Sequence, residues 1–163
     1  MSVLDQGIAN VQNPAYTAAL LAGFVEGYRE NHPLRNGPLL PYLFVAVPML
    51  LQVDILDNIR STQLGLRGMI RKLTSSEVAS TDIVLSIGEH ARSFRSLTTE
   101  AIAIMLATRL VILIPESGTL LPLNTGISKR GESPRDYTTA MKLGKWFSEL
   151  SMFEIASALK VTF

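Results

Sequence analysis

The sequence predicts a mainly α-helical fold, organised as a single domain over residues 1–163 with one β-hairpin. Apolar residues recur at helical spacing through most of the chain, whereas Leu110 to Leu123 carries two short apolar runs around a turn. A length of 163 residues and a hydrophobic share of 47% supply enough material for one core. Together these observations favour one helical domain that carries a small hairpin.

The composition indicates a permanent partner. Charged residues make up 18% of the chain, below the usual share of about 25%, and the mean hydropathy is +0.26. A chain of this kind leaves more apolar surface than a solitary monomer normally shows. The net charge of +1 is dispersed along the chain, so charge alone selects no partner.

Three further observations favour a cytoplasmic protein. The chain has no cysteine, which excludes disulfides, thiolate nucleophiles and Cys-ligated zinc. The N-terminus shows no secretory signal pattern. The apolar run from Leu39 to Leu51 is too short to span a bilayer as a helix, and it contains two prolines.

The first predicted helix begins at Pro14 and runs to about Arg29. Asn13 is a favourable N-cap, and proline suits the first helical position because its missing N–H is not needed there. Apolar residues recur every four positions, so the apolar face is wide and the helix should be central. These recurring residues are Tyr16, Leu20, Phe24 and Tyr28.

Two proline-containing breaks, at His32-Pro33 and from Asn36 to Pro38, separate this helix from a second one. The second helix is strongly apolar and is predicted to begin at Pro41 and to be kinked or ended by Pro48. A short helical turn is expected from Asp54 to Ile59.

Three more helices are predicted before the hairpin, each from a polar residue that can cap it. The cap candidates are Ser61-Thr62, the capping-box pattern from Thr74 to Glu77, and Ser96. The expected helices are Gln63 to Leu73, a segment that continues through Phe94, and Leu97 to Thr108.

The hairpin is predicted from two apolar runs, Leu110 to Ile114 and Thr119 to Leu123, with a turn at Glu116 to Gly118. Three helices followed by a hairpin are the element order of a winged-helix module, so we predict a winged-helix-like hairpin. The polar stretch 124–132, which contains Lys129 and Arg130, reads as a loop that could contact a partner.

Ser133-Pro134 is predicted to start a helix that reaches Leu150, and a capping box from Ser151 to Glu154 starts a short last helix. Glycine in mid-helix costs about 1 kcal/mol relative to alanine, so Gly144 is expected to permit close helix packing. Trp146 lies off the main apolar stripe. The remaining expected face comprises Tyr137, Ala140, Met141, Phe147 and Leu150.

None of the polar residues forms a catalytic or metal-binding pattern. His32 and His90 are the only histidines and lack ligand partners at metal-binding spacing. Asp54 and Asp57 are three residues apart, as solvated helix carboxylates often are. Gly65 to Gly68 copies the GXXG of a KH domain, but the strands that this fold needs are missing. We therefore expect no catalytic residue, no metal and no cofactor, and predict that the protein is not an enzyme.

Two sets of residues are candidates for binding. The first is a basic face that could meet phosphates, although such residues are also ordinary on solvated helices. Its members are Arg67, Arg71, Lys72, Arg92, Arg95, Lys129 and Arg130. The second set is apolar and would pack the C-terminal helix against the first helix or against a partner. Its members are Tyr16, Leu20, Phe24, Tyr28, Trp146 and Phe147.

Several blocks together resemble a known family over nearly the whole chain. They are the Asn13-Pro14-Ala15 helix, the run from Leu39 to Pro48, the helix–hairpin centre, and Lys142 to Phe147 with Leu159 and Val161 after it. Their order is similar to that of the middle component of three-component ABC systems, of which Lamassu-type bacterial defence systems are the known case.

The resemblance implies a small non-enzymatic adaptor that joins an SMC-like ABC ATPase to an effector, often a nuclease, in a complex acting against phage or plasmid DNA. It implies both of these subunits as partners, with DNA reached through the complex and no membrane. It supplies no catalytic residue. The alternative that the residues leave open is a stand-alone winged-helix DNA-binding regulator.

Overall fold

The computed structural model describes residues 13–75, 79–123 and 134–163. Within these ranges the chain forms eight helices and one two-stranded sheet, so the predicted mainly α fold is confirmed. The elements are α1 (Pro14–Asn31), α2 (Leu40–Leu51), α3 (Val53–Ser61), α4 (Gly65–Ser75), α5 (Ala79–Ser93), α6 (Arg95–Ala107), β1 (Val111–Ile114), β2 (Thr119–Pro122), α7 (Pro134–Ser148) and α8 (Met152–Leu159).

Helix α1 is the centre of the fold, as its wide apolar face predicted. The Asn13 side chain caps it by accepting hydrogen bonds from the backbone N–H groups of Ala15, at 2.9 Å, and Tyr16, at 3.2 Å. Its most extensive packing is against α7, and it also contacts α6, α2 and β2. The buried core around it receives side chains from every helix and both strands.

Small residues let α1 and α7 pack closely. A Cβ added to Gly144 would overlap the carbonyl oxygen of Phe24 and lie 2.7 Å from the backbone nitrogen of Tyr28. A Cβ on Gly27 of α1 would meet the backbone of Met141 in the same way. The prediction that Gly144 permits close packing is confirmed.

Helix α2 does not end at Pro48 but continues to Leu51. Proline removes one backbone hydrogen bond from a helix, and here the surrounding apolar burial outweighs that cost, because residues 45–50 are all buried. The chain turns at Gln52 instead, and α3 is longer than the predicted turn. No single helix in the described ranges is long and apolar enough to cross a membrane. Helices α2 and α3 reach the required length and hydropathy only when they are taken together, and they are bent by 94° relative to each other.

Three predicted N-caps are wrong where the structure describes them. Ser61 ends α3, Thr62 is the C-cap of that helix, and α4 begins only at Gly65. Thr74 lies inside α4, where its hydroxyl donates to the carbonyls of Ile70 and Arg71. The other capping-box residue, Glu77, is outside the described residues.

Ser96 also lies inside a helix, because α6 begins at Arg95. The reason is the junction between α5 and α6. The N–H of Phe94 donates to the carbonyl of His90 and the N–H of Thr98 donates to the carbonyl of Phe94, both at 2.8 Å. The backbone thus passes between the helices with its hydrogen bonds nearly uninterrupted, and no side-chain cap is needed.

The hairpin prediction is confirmed. β1 and β2 pair antiparallel in the register Val111↔Pro122 to Ile114↔Thr119, and Gly118 closes the turn with a φ of 66°. The N–H of Leu40 donates to the carbonyl of Gly118 at 2.9 Å, and that of Leu120 donates to the carbonyl of Pro38 at 3.0 Å. The segment before α2 therefore covers the outer edge of β2. The winged-helix assignment of this hairpin stays a prediction.

Helix α7 ends at Ser148, two residues before the predicted end. Trp146 is 4% exposed rather than lying off the buried face. The buried face is wider than predicted because α3 and α4 as well as α1 pack on α7. The last capping box is confirmed: Ser151 Oγ accepts from the Glu154 N–H at 3.2 Å, and Glu154 Oε2 accepts from the Ser151 N–H at 2.8 Å. The predicted cap Ser133 is outside the described residues.

Candidate interaction surface

The apolar candidate residues lie at the junction of α1 and α7. Phe147 packs edge-on against the ring of Phe24, with 5.2 Å between centroids, and against Tyr42 at 5.7 Å. Tyr16 is half-buried and the other five members are buried: Leu20, Phe24, Tyr28, Trp146 and Phe147. Because these five side chains are covered within the chain, they leave almost no surface for a partner.

A polar network joins α1, α3 and α7 next to this apolar junction. Asp136 accepts a hydrogen bond from the Tyr16 hydroxyl at 2.6 Å and pairs with Arg60. Arg60 also pairs with Asp57 at 2.9 Å, and its backbone carbonyl accepts from Lys142 Nζ at 3.1 Å. Burial, followed by the hydrogen bond to Asp136, raises the pKa of Tyr16 well above its ordinary value. Each described charge in the network has a partner, so the network fixes helix positions.

A second polar contact crosses the same helix pair. The hydroxyl of Tyr137 donates to the buried carboxylate of Glu26. Burial, together with this hydrogen bond, raises the pKa of Tyr137 well above its ordinary value, so the phenol stays protonated. The contact satisfies a carboxylate that would otherwise be costly to bury.

One of the basic candidates on α4 is neutralised by an acidic residue of the chain. Arg67 forms an ion pair with Glu154 of α8 at 2.6 Å. Lys72 donates to the Ser61 hydroxyl at 3.1 Å. Arg71 is exposed and borders two shallow surface depressions. This part of the predicted basic face therefore carries less free positive charge than its composition suggests.

The other described basic candidates, Arg92 and Arg95, lie beside the last residues of the chain. They border a groove between α2, α5 and residues 160–163, and Lys160 borders the same groove. Lys160 also borders the depression that contains Arg67 and Arg71. The structure thus places the two described basic groups on either side of Lys160. Lys129 and Arg130 are outside the described residues.

Lys160 is the basic residue that the sequence reasoning missed. It is the C-cap of α8 in the left-handed conformation, with a φ of 55°. That conformation is usual for glycine after a helix, so a lysine there gives no sequence signal. Its neighbours in the groove come from α2, α5 and α6, far away in the chain.

Neither histidine belongs to a polar constellation. His32 stacks on Tyr28 with 5.5 Å between ring centroids, and its Nδ1 accepts from the Leu34 N–H at 3.2 Å. His90 stacks on Phe94 at 6.3 Å. In the part of the chain that the structure describes, no three His, Asp or Glu side chains gather into a metal-binding group.

The GXXG segment from Gly65 to Gly68 opens helix α4. It begins with Gly65 at a φ of 77°, a value that suits glycine. The hairpin is the only sheet within the described ranges, and it lies elsewhere along the chain. The segment therefore acts as the start of a helix, and the described ranges contain no larger sheet of the kind that a KH fold needs.

Exposed apolar side chains occur at both the hairpin and α8. Ile112 and Leu113 of β1 are more than one-third exposed, and Phe153 at the start of α8 is 79% exposed. β1 pairs only with β2 in the described sheet, so none of the described residues pairs with the backbone groups of its other edge. An apolar strand edge of this kind can accept a strand from another chain.

The whole chain, residues 1–163, matches the family model of the ABC-three component (ABC-3C) system Middle Component 3. The chain belongs to this family. The resemblance stated from the sequence is therefore confirmed. A Middle Component 3 protein is an accessory component of a multi-component ABC system, which implies partner subunits. No curated protein and no solved structure matches the chain.

Proposed function

We propose that this Middle Component 3 protein is a non-catalytic adaptor in the cytoplasm that joins an SMC-like ABC ATPase to an effector nuclease in a complex directed against phage or plasmid DNA. The observation that carries the proposal is the family match over residues 1–163.

Two structural features support an adaptor role. The apolar edge of β1, with Ile112 and Leu113 exposed, is suited to strand pairing with another chain. The exposed Phe153 adds an aromatic side chain, and aromatic residues are enriched in protein interfaces. These features lie on two different elements, a strand and a helix, so each could contact a different partner.

Co-expression with the proteins encoded by the neighbouring genes, where we expect the ATPase and the effector, tests the proposal. We expect the three proteins to co-elute in size-exclusion chromatography, with a mass by light scattering that requires all three. Leu113→Glu should weaken assembly by placing a charge on the strand edge, whereas Thr99→Glu on an exposed site of α6 is the matched control. A well-behaved monomer that co-elutes with neither neighbour would defeat the adaptor proposal.

A second candidate is a stand-alone DNA-binding regulator. The observation that favours it is the placement of Lys160 between Arg71 on one side and Arg92 and Arg95 on the other. Binding through phosphates falls steeply as salt increases. Tight, salt-sensitive binding of a DNA duplex by the isolated chain would favour this function over the adaptor.

A further inference from the structure

The groove beside the last residues of the chain, here called the C-terminal groove, has a volume of about 500 Å³. Its walls come from α2, from α5 and α6, and from residues 160–163. The walls contain Phe44 and Val45 on one side and Val161 on the other, and its rim contains Arg92, Arg95 and Lys160. The C-terminal groove therefore combines an apolar interior with a basic rim.

Among the described residues, no acidic side chain lines the groove beside its basic rim. The ion pairs that the described residues form involve Arg60 and Arg67, and none involves a cation of the rim. Arg67 differs from these cations because it forms an ion pair with Glu154 at 2.6 Å. Charge complementarity therefore favours an anionic occupant, and arginine clusters commonly recognise acidic motifs.

The apolar interior favours an acidic peptide over nucleic acid as the occupant of the groove. A phosphate backbone could meet the rim cations, but it has no apolar side chain to cover Val45 and Val161. The ring of Phe163 is already packed against Tyr42, with 5.3 Å between centroids, which reduces the area left for a base to stack on it. An extended or helical peptide can supply both carboxylates and apolar anchors.

We propose that the C-terminal groove binds a short acidic peptide segment of a partner subunit, with apolar side chains in the groove and carboxylates on Arg92, Arg95 and Lys160. This inference rests on the proposed adaptor function, because it assumes that the peptide belongs to the ATPase or the effector. It assigns Arg92, Arg95 and Lys160 to protein recognition.

Gly88 allows the groove to be filled without removing a charge. A Cβ built on it would find only Val161 Cγ1, at 3.8 Å, so its side-chain position opens toward the groove wall. Gly88→Leu should fill this space, and replacing a helical glycine also favours folding of α5. Arg92→Glu combined with Arg95→Glu reverses the rim charge. Lys145→Glu, on an exposed site of α7, is the control for a charge reversal placed away from the groove.

The binding test uses overlapping 18-residue fluorescein-labelled peptides that cover both partner subunits, measured by fluorescence anisotropy against the full chain. We expect an acidic peptide with apolar residues to bind. Its affinity should fall about tenfold or more in Gly88→Leu and about a hundredfold in the double arginine variant, and should be unchanged in Lys145→Glu. Circular dichroism melts confirm that each variant is folded.

Three outcomes would overturn the inference. The first is that no peptide binds the wild-type chain. The second is that the bound peptide keeps its affinity for Gly88→Leu. The third is that a fluorescein-labelled 24-base-pair duplex binds, loses affinity in the double arginine variant and is unaffected by Gly88→Leu, which would assign the rim to DNA. If the three proteins still assemble in any of these cases, the adaptor function stands and only the peptide site fails.

Discussion

Gly144 of α7 packs directly against the backbone of Phe24 in α1. A Cβ on Gly144 would overlap the Phe24 carbonyl oxygen and lie 2.7 Å from the nitrogen of Tyr28. Three residues further along α7, Phe147 meets the Phe24 ring edge-on at 5.2 Å. The glycine therefore sets the helix separation that allows this aromatic contact.

The Gly144→Ala variant should lower the free energy of unfolding. The added methyl group has no space, and overpacking costs about 1 to 3 kcal/mol, which outweighs the gain of about 1 kcal/mol in helix propensity. Urea unfolding followed by circular dichroism measures the change. Gly88→Ala is the matched control: a Cβ there would lie 3.8 Å from Val161 Cγ1, an ordinary contact distance, so the variant should be neutral or stabilising. A Gly144→Ala protein as stable as Gly88→Ala would contradict the close packing.

Phe147→Ala should destabilise the fold strongly. Its ring is fully buried against Phe24 and Tyr42, and removing such a ring costs about 3 to 5 kcal/mol. Phe153→Ala is the control, because that ring is 79% exposed and an exposed substitution changes stability by about 0.5 kcal/mol or less. Equal urea midpoints for the two variants would show that Phe147 is not a core residue.

Asp136→Ala should cost more stability than Asp57→Ala, although both carboxylates contact Arg60. The Asp136 side chain is 17% exposed and also accepts from Tyr16, whereas the Asp57 side chain is 61% exposed. Loss of a hydrogen-bonded, partly buried charge costs about 1.5 to 3 kcal/mol, against about 0.5 kcal/mol for an exposed pair. Chemical denaturation of both variants at pH 7 measures the difference. The reverse order would refute the structural role of the network.

Stability should fall as the pH rises above 10. Burial raises the pKa of Tyr28 to about 12, and the pKa values of Tyr16, Tyr42 and Tyr137 are also raised. The unfolded chain then releases its phenolic protons at about pH 10, before the folded chain does. The stabilising contribution is therefore complete below pH 10 and is lost as the pH rises through the folded-state values.

Two measurements check this pH dependence. Urea midpoints at pH 9 and pH 11 should show the loss of stability, and Tyr28→Phe should reduce its slope because one of the shifted groups is removed. In the folded protein, the phenolate absorbance at 295 nm should develop at a higher pH than in the unfolded chain. A native titration centred at the ordinary tyrosine value would contradict the buried environments.

The local patterns that predicted elements correctly are those that act within one turn or one hairpin. Asn13 with Pro14, and Ser151 with Glu154, cap their helices as predicted because each cap needs only residues a few positions away. The hairpin around Gly118 follows from the same kind of local signal. Thr74 and Ser96 carried similar signals but lie inside helices, because the helices extend past them.

The sequence by itself determined the helical class, the hairpin and the family, since these depend on residue periodicity, turn chemistry and the order of apolar blocks. Only the tertiary structure decided that Trp146 is buried and that Lys160 meets Arg92 and Arg95 at one groove. The physical reason is the range of the interactions. Periodicity records contacts along one helix, whereas burial of Trp146 and the groove arise where several helices pack together, and no local pattern encodes which faces will meet.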